Sequence, residues 1–299
     1  MTSLDKLSVA PVVKALCVGY PGSGKTGSLA ALANAGYKLR ILDFDGNFDP
    51  LLAWIEPEFR KNVDIVTLKD RMVGGRKRIE TKGKPTALMD AEAYLNRWKY
   101  KDGENEIDLG RPSEWGPDTV LILDSLTNMG RAVMNWVLFI QDRVAKGPRK
   151  SDWGVAQSFQ EGLVEKLMSR EQVSCHTILT AHLKMIGPPE FEVDDDEEVK
   201  KDKEKVRQLV SYKLFPSALG RALPPEIAKH CPYVLLYETI IIAGRVRRMI
   251  KTVPNLAFDG VAVPLKDIPD ELSIDNGLAK LFAAVGKGEE DEKQSDNSA

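Results

Sequence analysis

Cysteine, histidine and aromatic residues are scarce in this 299-residue chain, which has three cysteines, three histidines and 7% Phe, Trp and Tyr. Cys17, Cys175 and Cys231 are odd in number, far apart and set among apolar neighbours. That pattern builds neither a disulfide framework nor a zinc site, and buried thiols in a reducing compartment are expected. No run approaches the ~18 apolar residues of a membrane span. The best stretches, VMNWVLFI and YVLLYETIII, are too short. The opening MTSLDKLSVA lacks the apolar core of a secretory signal, so a cytoplasmic protein without a membrane partner is expected. A formal charge of −2 gives no overall attraction to nucleic acid, and any basic surface must be local. No internal repeat is visible.

What the chain does have is a core. Apolar residues make up 43% and charged residues 29%, as in an ordinary globular protein. Short apolar strands are expected at 12–18, 39–42, 63–68, 120–123 and 177–180. Helices are expected at 25–35, 51–56, 87–99, 128–144, 154–170 and 277–285. In the 154–170 helix, Val155, Phe159, Leu163 and Leu167 recur at four-residue spacing and are expected on one face. Strands alternating with helices imply an α/β fold with a mostly parallel central sheet covered on both faces. Residues 234–242 and 246–253, flanking Ala243-Gly244, add a C-terminal antiparallel hairpin. Residues 69–86 and 187–212 fit no regular element and read as charged insertions. The acidic end, 286–299, has a disordered composition. The expected organisation is a core over 1–255, an extension with a helix over 256–285, and the tail.

Gly19-Tyr20-Pro21-Gly22-Ser23-Gly24-Lys25-Thr26 matches G-x-x-x-x-G-K-[ST] in full, between an expected strand and an expected helix. Glycines let the backbone curl so that successive N–H groups face phosphate oxygens, and the helix start adds its positive end. In such a P-loop the lysine (Lys25) reaches the β- and γ-phosphates and the hydroxyl (Thr26) binds Mg²⁺; Gly27 completes the nucleotide-binding stretch. The second Mg²⁺ carboxylate is supplied by Val120-Leu121-Ile122-Leu123-Asp124, a buried strand ending in an acid. Cofactors ATP and Mg²⁺ follow. The base preference is not legible, since no adenine-reading motif is visible. The GTPase motif Asn-Lys-x-Asp and an Arg-rich kinase lid are absent.

The class of P-loop protein turns on Ile41-Leu42-Asp43-Phe44-Asp45-Gly46-Asn47-Phe48-Asp49-Pro50. With Leu123-Asp124-Ser125 and Ile178-Leu179-Thr180-Ala181-His182, it resembles the RecA-like family in order and spacing. The pattern is most similar to phage P-loop proteins of the recombinase or single-strand annealing type, over roughly residues 10 to 255, with Pro216 to Gly220 as a further match. The resemblance implies a RecA-like fold, with Asp45 as the catalytic acid that activates water and His182 as the γ-phosphate sensor. It also implies a homo-oligomeric ring or filament, single-stranded DNA as partner, and a single-stranded-DNA-binding protein as a second partner. Asp stands where the family has Glu, and His where it has Gln. Asp43 reads as structural and Asp49 as a helix cap ahead of Pro50.

RecA-type assemblies complete the site with a basic residue from the neighbouring subunit; Arg248 and Lys251 on the hairpin are the candidates for that role. Arg76, Lys77, Arg78 and Lys82 are the candidate DNA contacts. Trp98, Trp115 and Trp153 are expected mainly in the core. Three functions remain open: a DNA-stimulated ATPase in phage recombination, a DNA-annealing protein whose nucleotide site is regulatory, and another P-loop enzyme or motor such as a kinase, helicase or packaging ATPase.

Overall fold

The computed structural model describes residues 12–74, 79–186, 213–255, 258, 260–263, 265 and 268–296. The candidate DNA contacts Arg76, Lys77 and Arg78, and the excursion at 187–212, lie outside the described residues. β1 (Lys14–Gly19) leads into α1 (Lys25–Ser28) and α2 (Ala30–Asn34), and β2 (Lys38–Asp43) into α3 (Asp49–Trp54). β3 (Val63–Thr67) precedes a small hairpin, β4 (Met72–Gly74) and β5 (Ile79–Thr81). After α4 (Ala87–Asn96) comes a second hairpin, β6 (Lys99–Asp102) and β7 (Asn105–Asp108). β8 (Thr119–Asp124) is followed by α5 (Leu126–Ile140), α6 (Lys150–Met168) and β9 (His176–Ile186). The chain ends with β10 (Lys213–Pro216), α7 (Pro224–Ile227), β11 (Tyr233–Ile242), β12 (Arg245–Lys251), β13 (Glu271–Ser273) and α8 (Gly277–Asp296).

The main sheet runs β13-β12-β11-β1-β9-β8-β2-β3, with β10 paired to β9. From β11 to β3 every pairing is parallel, and β12 and β13 close one edge antiparallel. This is the mostly parallel α/β arrangement expected from the sequence, and the P-loop strand β1 is separated from the Asp124 strand β8 by one intervening strand, β9. Alternation divides the core in two. Leu16, Val18, Leu42, Leu121 and Leu123 pack under α5 and α6. Val13, Ala15, Cys17, Leu39, Ile41, Val120 and Ile122 pack under α2 and α8. All three cysteines are buried and free. Among the described residues no helix is long and apolar enough to cross a membrane.

Several elements differ from expectation. The 69–86 segment, expected to be irregular, carries β4 and β5. β6 and β7 turn at Gly103-Glu104, with Gly103 at φ 60°, and a glycine at the first turn position is a signal present in the sequence. On α6 only half of the four-residue stripe is buried: Leu163 and Leu167 lie inside with Ala156, Gln160 and Val164, while Val155 and Phe159 are exposed. Four residues advance 400°, so a strict four-spacing winds off any one face. Trp98 is fully buried and Trp115 packs at 5.8 Å against it, whereas Trp153 is exposed. β13 and α8, from the expected extension, join the same sheet and core through Leu272, Leu281 and Phe282. α8 continues to Asp296, into the stretch whose composition suggested disorder; its Glu and Lys residues are good helix formers.

Candidate functional site

Parallel strands with a common direction deliver their last residues to one edge. Gly19 of β1 lies opposite His182 of β9, and Asp43 of β2 opposite Asp124 of β8. That register gathers the candidate residues, distant in sequence, around one cleft of roughly 500 Å³. Lys25, Thr26, Asp45, Asp124, His182 and Arg248 all line it.

The loop between β1 and α1 adopts the conformation that its glycines permit. Gly22 and Gly24 sit at φ 77° and 97°, in the left-handed region. A Cβ on Gly19 would lie 2.6 Å from both Ser23 Oγ and the Tyr237 carbonyl, so the loop closes only on glycine. Lys25 is buried and its Nζ donates to the carbonyls of Gly19 (2.8 Å) and Tyr20 (3.1 Å). Burial lowers its pKa, and the neighbouring Asp124 opposes that shift. Ser23 Oγ is buried without a partner among the described residues. Behind the loop, Ser28 of α1 shares a hydrogen bond of 2.9 Å with the buried Tyr237 hydroxyl of β11.

Asp124 is 5% exposed. Its Oδ2 accepts from Thr26 Oγ1 at 2.8 Å and its Oδ1 from Thr180 Oγ1 on β9. Burial raises its pKa, against those two hydroxyls. The adjoining Asp124–Ser125 peptide is cis. Thr26 and Asp124 therefore place a hydroxyl and a carboxylate side by side at the mouth of the phosphate loop, the donor set that Mg²⁺ takes from a protein when phosphates and water complete its shell. The described residues hold no group of three His, Cys, Asp or Glu suited to a metal on their own; one or two protein ligands are what this ion uses.

Asp45 stands opposite. Its Oδ1 accepts from Ser125 Oγ at 2.6 Å and from Asn128 Nδ2 at 2.7 Å, at the start of α5. His182 Nε2 lies 3.7 Å from Oδ2, longer than a full hydrogen bond. Burial works against the charged form, but the His182 ring, Ser125 and Asn128 outweigh it and hold the carboxyl down to about 2. The surroundings of Asp45 thus favour its charged form. His182 Nδ1 is buried without a partner among the described residues, and its backbone N–H donates to Thr127 Oγ1 at 3.1 Å.

The neighbouring acids are structural. Asp43 is buried and accepts from the Gly46 N–H (2.6 Å) and Thr67 Oγ1 (3.3 Å), which fixes the turn that presents Asp45. Asp49 is not the cap. α3 begins at Asp49 itself, Phe48 holds the cap position, and Asp49 contributes first-turn charge.

The two basic residues expected to reach in from a neighbouring subunit are engaged within this chain. β12 pairs with β11, which lies beside β1, so Arg248 projects over its own phosphate loop and its Nε donates to the Gly22 carbonyl at 2.8 Å. Lys251 forms an ion pair with Glu271 of β13. Lys82 is exposed on the β4–β5 hairpin, away from the cleft. Sequence reasoning missed Asn128 and Trp54. Trp54, 39% exposed, closes α3 and lines the cleft with its ring 3.4 Å from the position of a Cβ on Gly27. The signal was available: a Trp three residues past Leu51 on a helix expected right after the Asp45 turn.

No family model matches the chain, and no curated protein does. Among solved structures, a KaiC-like protein of the hyperthermophilic archaeon Pyrococcus horikoshii aligns over 89% of this chain and 87% of its own, at 11% identity and a TM-score of 0.38. The strand order and register place the phosphate loop, Asp124, Asp45 and His182 at one edge of a mostly parallel α/β sheet.

Proposed function

We propose that this chain binds ATP with Mg²⁺ in the cleft at the carboxyl edge of the sheet, hydrolyses it slowly, and acts on single-stranded DNA in phage recombination, by annealing or strand exchange, as a ring or filament of copies. The observation that carries the reading is the convergence on one cleft of Lys25, Thr26, Asp124 and an Asp45 held in its charged form. In-line attack of water on the γ-phosphate needs little covalent help and much positioning. The loop N–H groups and Lys25 hold the phosphates and offset their charge. Thr26 and Asp124 would hold Mg²⁺, which when bound neutralises charge on the phosphate oxygens. Asp45 orients the water, and His182 stands between Asp45 and the loop as the group that senses the γ-phosphate. Trp54 offers its face to the base.

The DNA part of the proposal rests on local basic surface, since the whole chain carries −2. Lys82, exposed just past β5, is the described candidate on that surface, and a single-stranded-DNA-binding protein is a second partner. ATP turnover measured with and without a single-stranded oligonucleotide tests the reading. Stimulated turnover that disappears in Asp45→Asn is expected; turnover indifferent to DNA, with no binding at low salt, would overturn it.

One observation favours a second reading, an annealing protein whose nucleotide site regulates assembly. The Asp45 carboxyl, at about 2, has little basicity, and Asp is one methylene shorter than Glu. On that reading Lys25→Ala weakens nucleotide binding yet leaves annealing of complementary oligonucleotides intact.

A further inference from the structure

A second cleft of roughly 260 Å³ lies behind Asp45, and Asp45 and Asn128 line both it and the nucleotide cleft. Its floor is α5. Asn128, Arg131, Ala132 and Asn135 recur at the spacing of one helix face and turn a polar stripe out of an otherwise apolar helix. Its wall is the segment after β3, held in place by the Leu68 N–H donating to the Asp43 carbonyl at 2.8 Å. Lys69 in that segment leans over the Asp45 turn so closely that a Cβ on Gly46, itself at φ 62°, would collide with the ammonium.

The charges here are unequally committed. Asp70 is fully engaged: Oδ1 accepts from the N–H groups of Thr86 (2.9 Å) and Ala87 (3.1 Å) at the start of α4, and Oδ2 from Asn135 (2.9 Å). Asp45 is held by Ser125 and Asn128. Lys69 and Arg131, both exposed, make no hydrogen bond or ion pair with any described residue. A cleft with two free cations and satisfied acids suits an anion. Its small volume and polar lining suit a single phosphate group better than a base or a peptide. Farther along α5, Lys84 lies 5.4 Å over the Trp136 ring, which pairs with Phe139, aromatic side chains of the kind on which unpaired bases stack.

From this the geometry points to a phosphate site: Lys69 and Arg131 take a backbone phosphate of single-stranded nucleic acid, and Asn128 transmits its occupancy to Asp45. The inference rests on the proposed DNA-dependent reading and deepens it. Asn128 is a positioning residue. It holds the carboxylate that faces the γ-phosphate, and it lies one helical turn from Arg131, so a load on Arg131 is felt at Asp45.

The test uses the full chain, an oligo-dT probe and the pair Lys69→Gln and Arg131→Gln. Melting temperature serves as the check on folding, and single variants replace the pair if it melts early. Oligo-dT binding is followed by fluorescence anisotropy across salt concentrations. The pair is expected to bind about tenfold more weakly, and log affinity should fall less steeply with log salt, by about 0.7 in slope for each phosphate no longer neutralised. DNA stimulation of ATP turnover should vanish while turnover without DNA stays at the wild-type level. Unchanged slope and stimulation in a protein that does bind oligo-dT would overturn the inference and leave the proposed function standing. No wild-type binding at low salt would overturn both. Thermal stabilisation by inorganic phosphate alone, absent from the pair while oligo-dT binding persists, would assign the cleft to free phosphate and overturn the nucleic-acid source.

Discussion

The two ends of β1 carry the same kinds of side chain and use them in opposite ways. At the amino edge, Lys14 and His176 are buried, as Lys25 is at the carboxyl edge, where His182 is half-buried. Lys14 Nζ donates to the Val173 carbonyl (2.6 Å) and Thr177 Oγ1 (2.8 Å), and burial lowers its pKa to about 8. His176 Nδ1 accepts from the Val13 N–H at 2.9 Å, and its ring packs 4.5 Å from Phe282. Both amino-edge groups are satisfied by the fold. At the carboxyl edge Lys25 leans on loop carbonyls, and Ser23 Oγ and His182 Nδ1 are buried with no partner among the described residues. Burial of a charge alone therefore does not mark a site. What marks it is hydrogen-bonding capacity left over and aimed into a common cleft.

The largest effect that would break this contrast is at Asp45. Asp45→Asn keeps the shape and the bonds to the Ser125 and Asn128 side chains in part, but removes the charge. Turnover should fall by about 10²-fold or more, the cost of losing a group that positions the water, with ATP affinity retained, as measured by steady-state kinetics beside equilibrium binding. Equal loss of affinity would make Asp45 a structural acid like Asp43. Next comes the amino edge. His176 is held neutral, its pKa lowered by burial from 6.5 to about 4. A depressed base means that the unfolded chain takes up protons first, so stability is present above pH 6.5 and is lost as pH falls toward 4. The loss amounts to about 3 kcal/mol at 1.36 kcal/mol per unit. Urea unfolding at pH 7 and pH 4 should show this extra acid sensitivity in wild type and lack it in His176→Asn, whose amide oxygen can still accept from Val13.

How much of this was legible in the sequence follows from the range over which each feature is specified. The phosphate loop is local: its glycines set their own backbone angles, so the motif and its glycine geometry agree. The place of Asp124 was legible because a buried apolar strand ends where its polar residue begins, and parallel strands end on one edge; strand geometry alone points to Asp43, and Asp45 was singled out by the spacing that the resemblance implies. Arg248 was not. Its place depends on β11 and β12 lying next to β1, and spatial strand order is not written in the spacing along the chain. The burial of Gln160 on α6 was not legible for a related reason. A polar residue there is buried because its amide bonds the Leu126 carbonyl and the Leu219 N–H, at 2.8 Å each, partners that exist only in the assembled fold.

Lys25→Ala has a smaller expected effect than Asp45→Asn on turnover per bound nucleotide, but it acts on binding. Loss of a charge-assisted bond to phosphate, at about 1.5–3 kcal/mol, weakens ATP affinity about ten- to hundredfold. Calorimetric titration reads this directly, and Lys14→Met, at the other end of the same strand, should leave affinity unchanged. An equal loss in both variants would mean that the whole strand, and not its carboxyl end, carries the effect.

The smallest effect decides whether the carboxyl edge is complete within one chain. Arg248 is exposed and touches its own loop through one hydrogen bond to the Gly22 carbonyl. Its removal should cost about 0.5–1.5 kcal/mol of ATP binding, under about tenfold. Mixing separates a role in cis from one in trans. Arg248→Ala protomers keep Lys25, and Lys25→Ala protomers keep Arg248, so an interface between them could rebuild a whole site only if Arg248 reaches across. With Arg248 acting on its own loop, turnover of an equal mixture stays at the mean of the two variants at every protein concentration. Recovery above that mean would move Arg248 to the neighbour's site, and the hydrogen bond to Gly22 would then be its resting position.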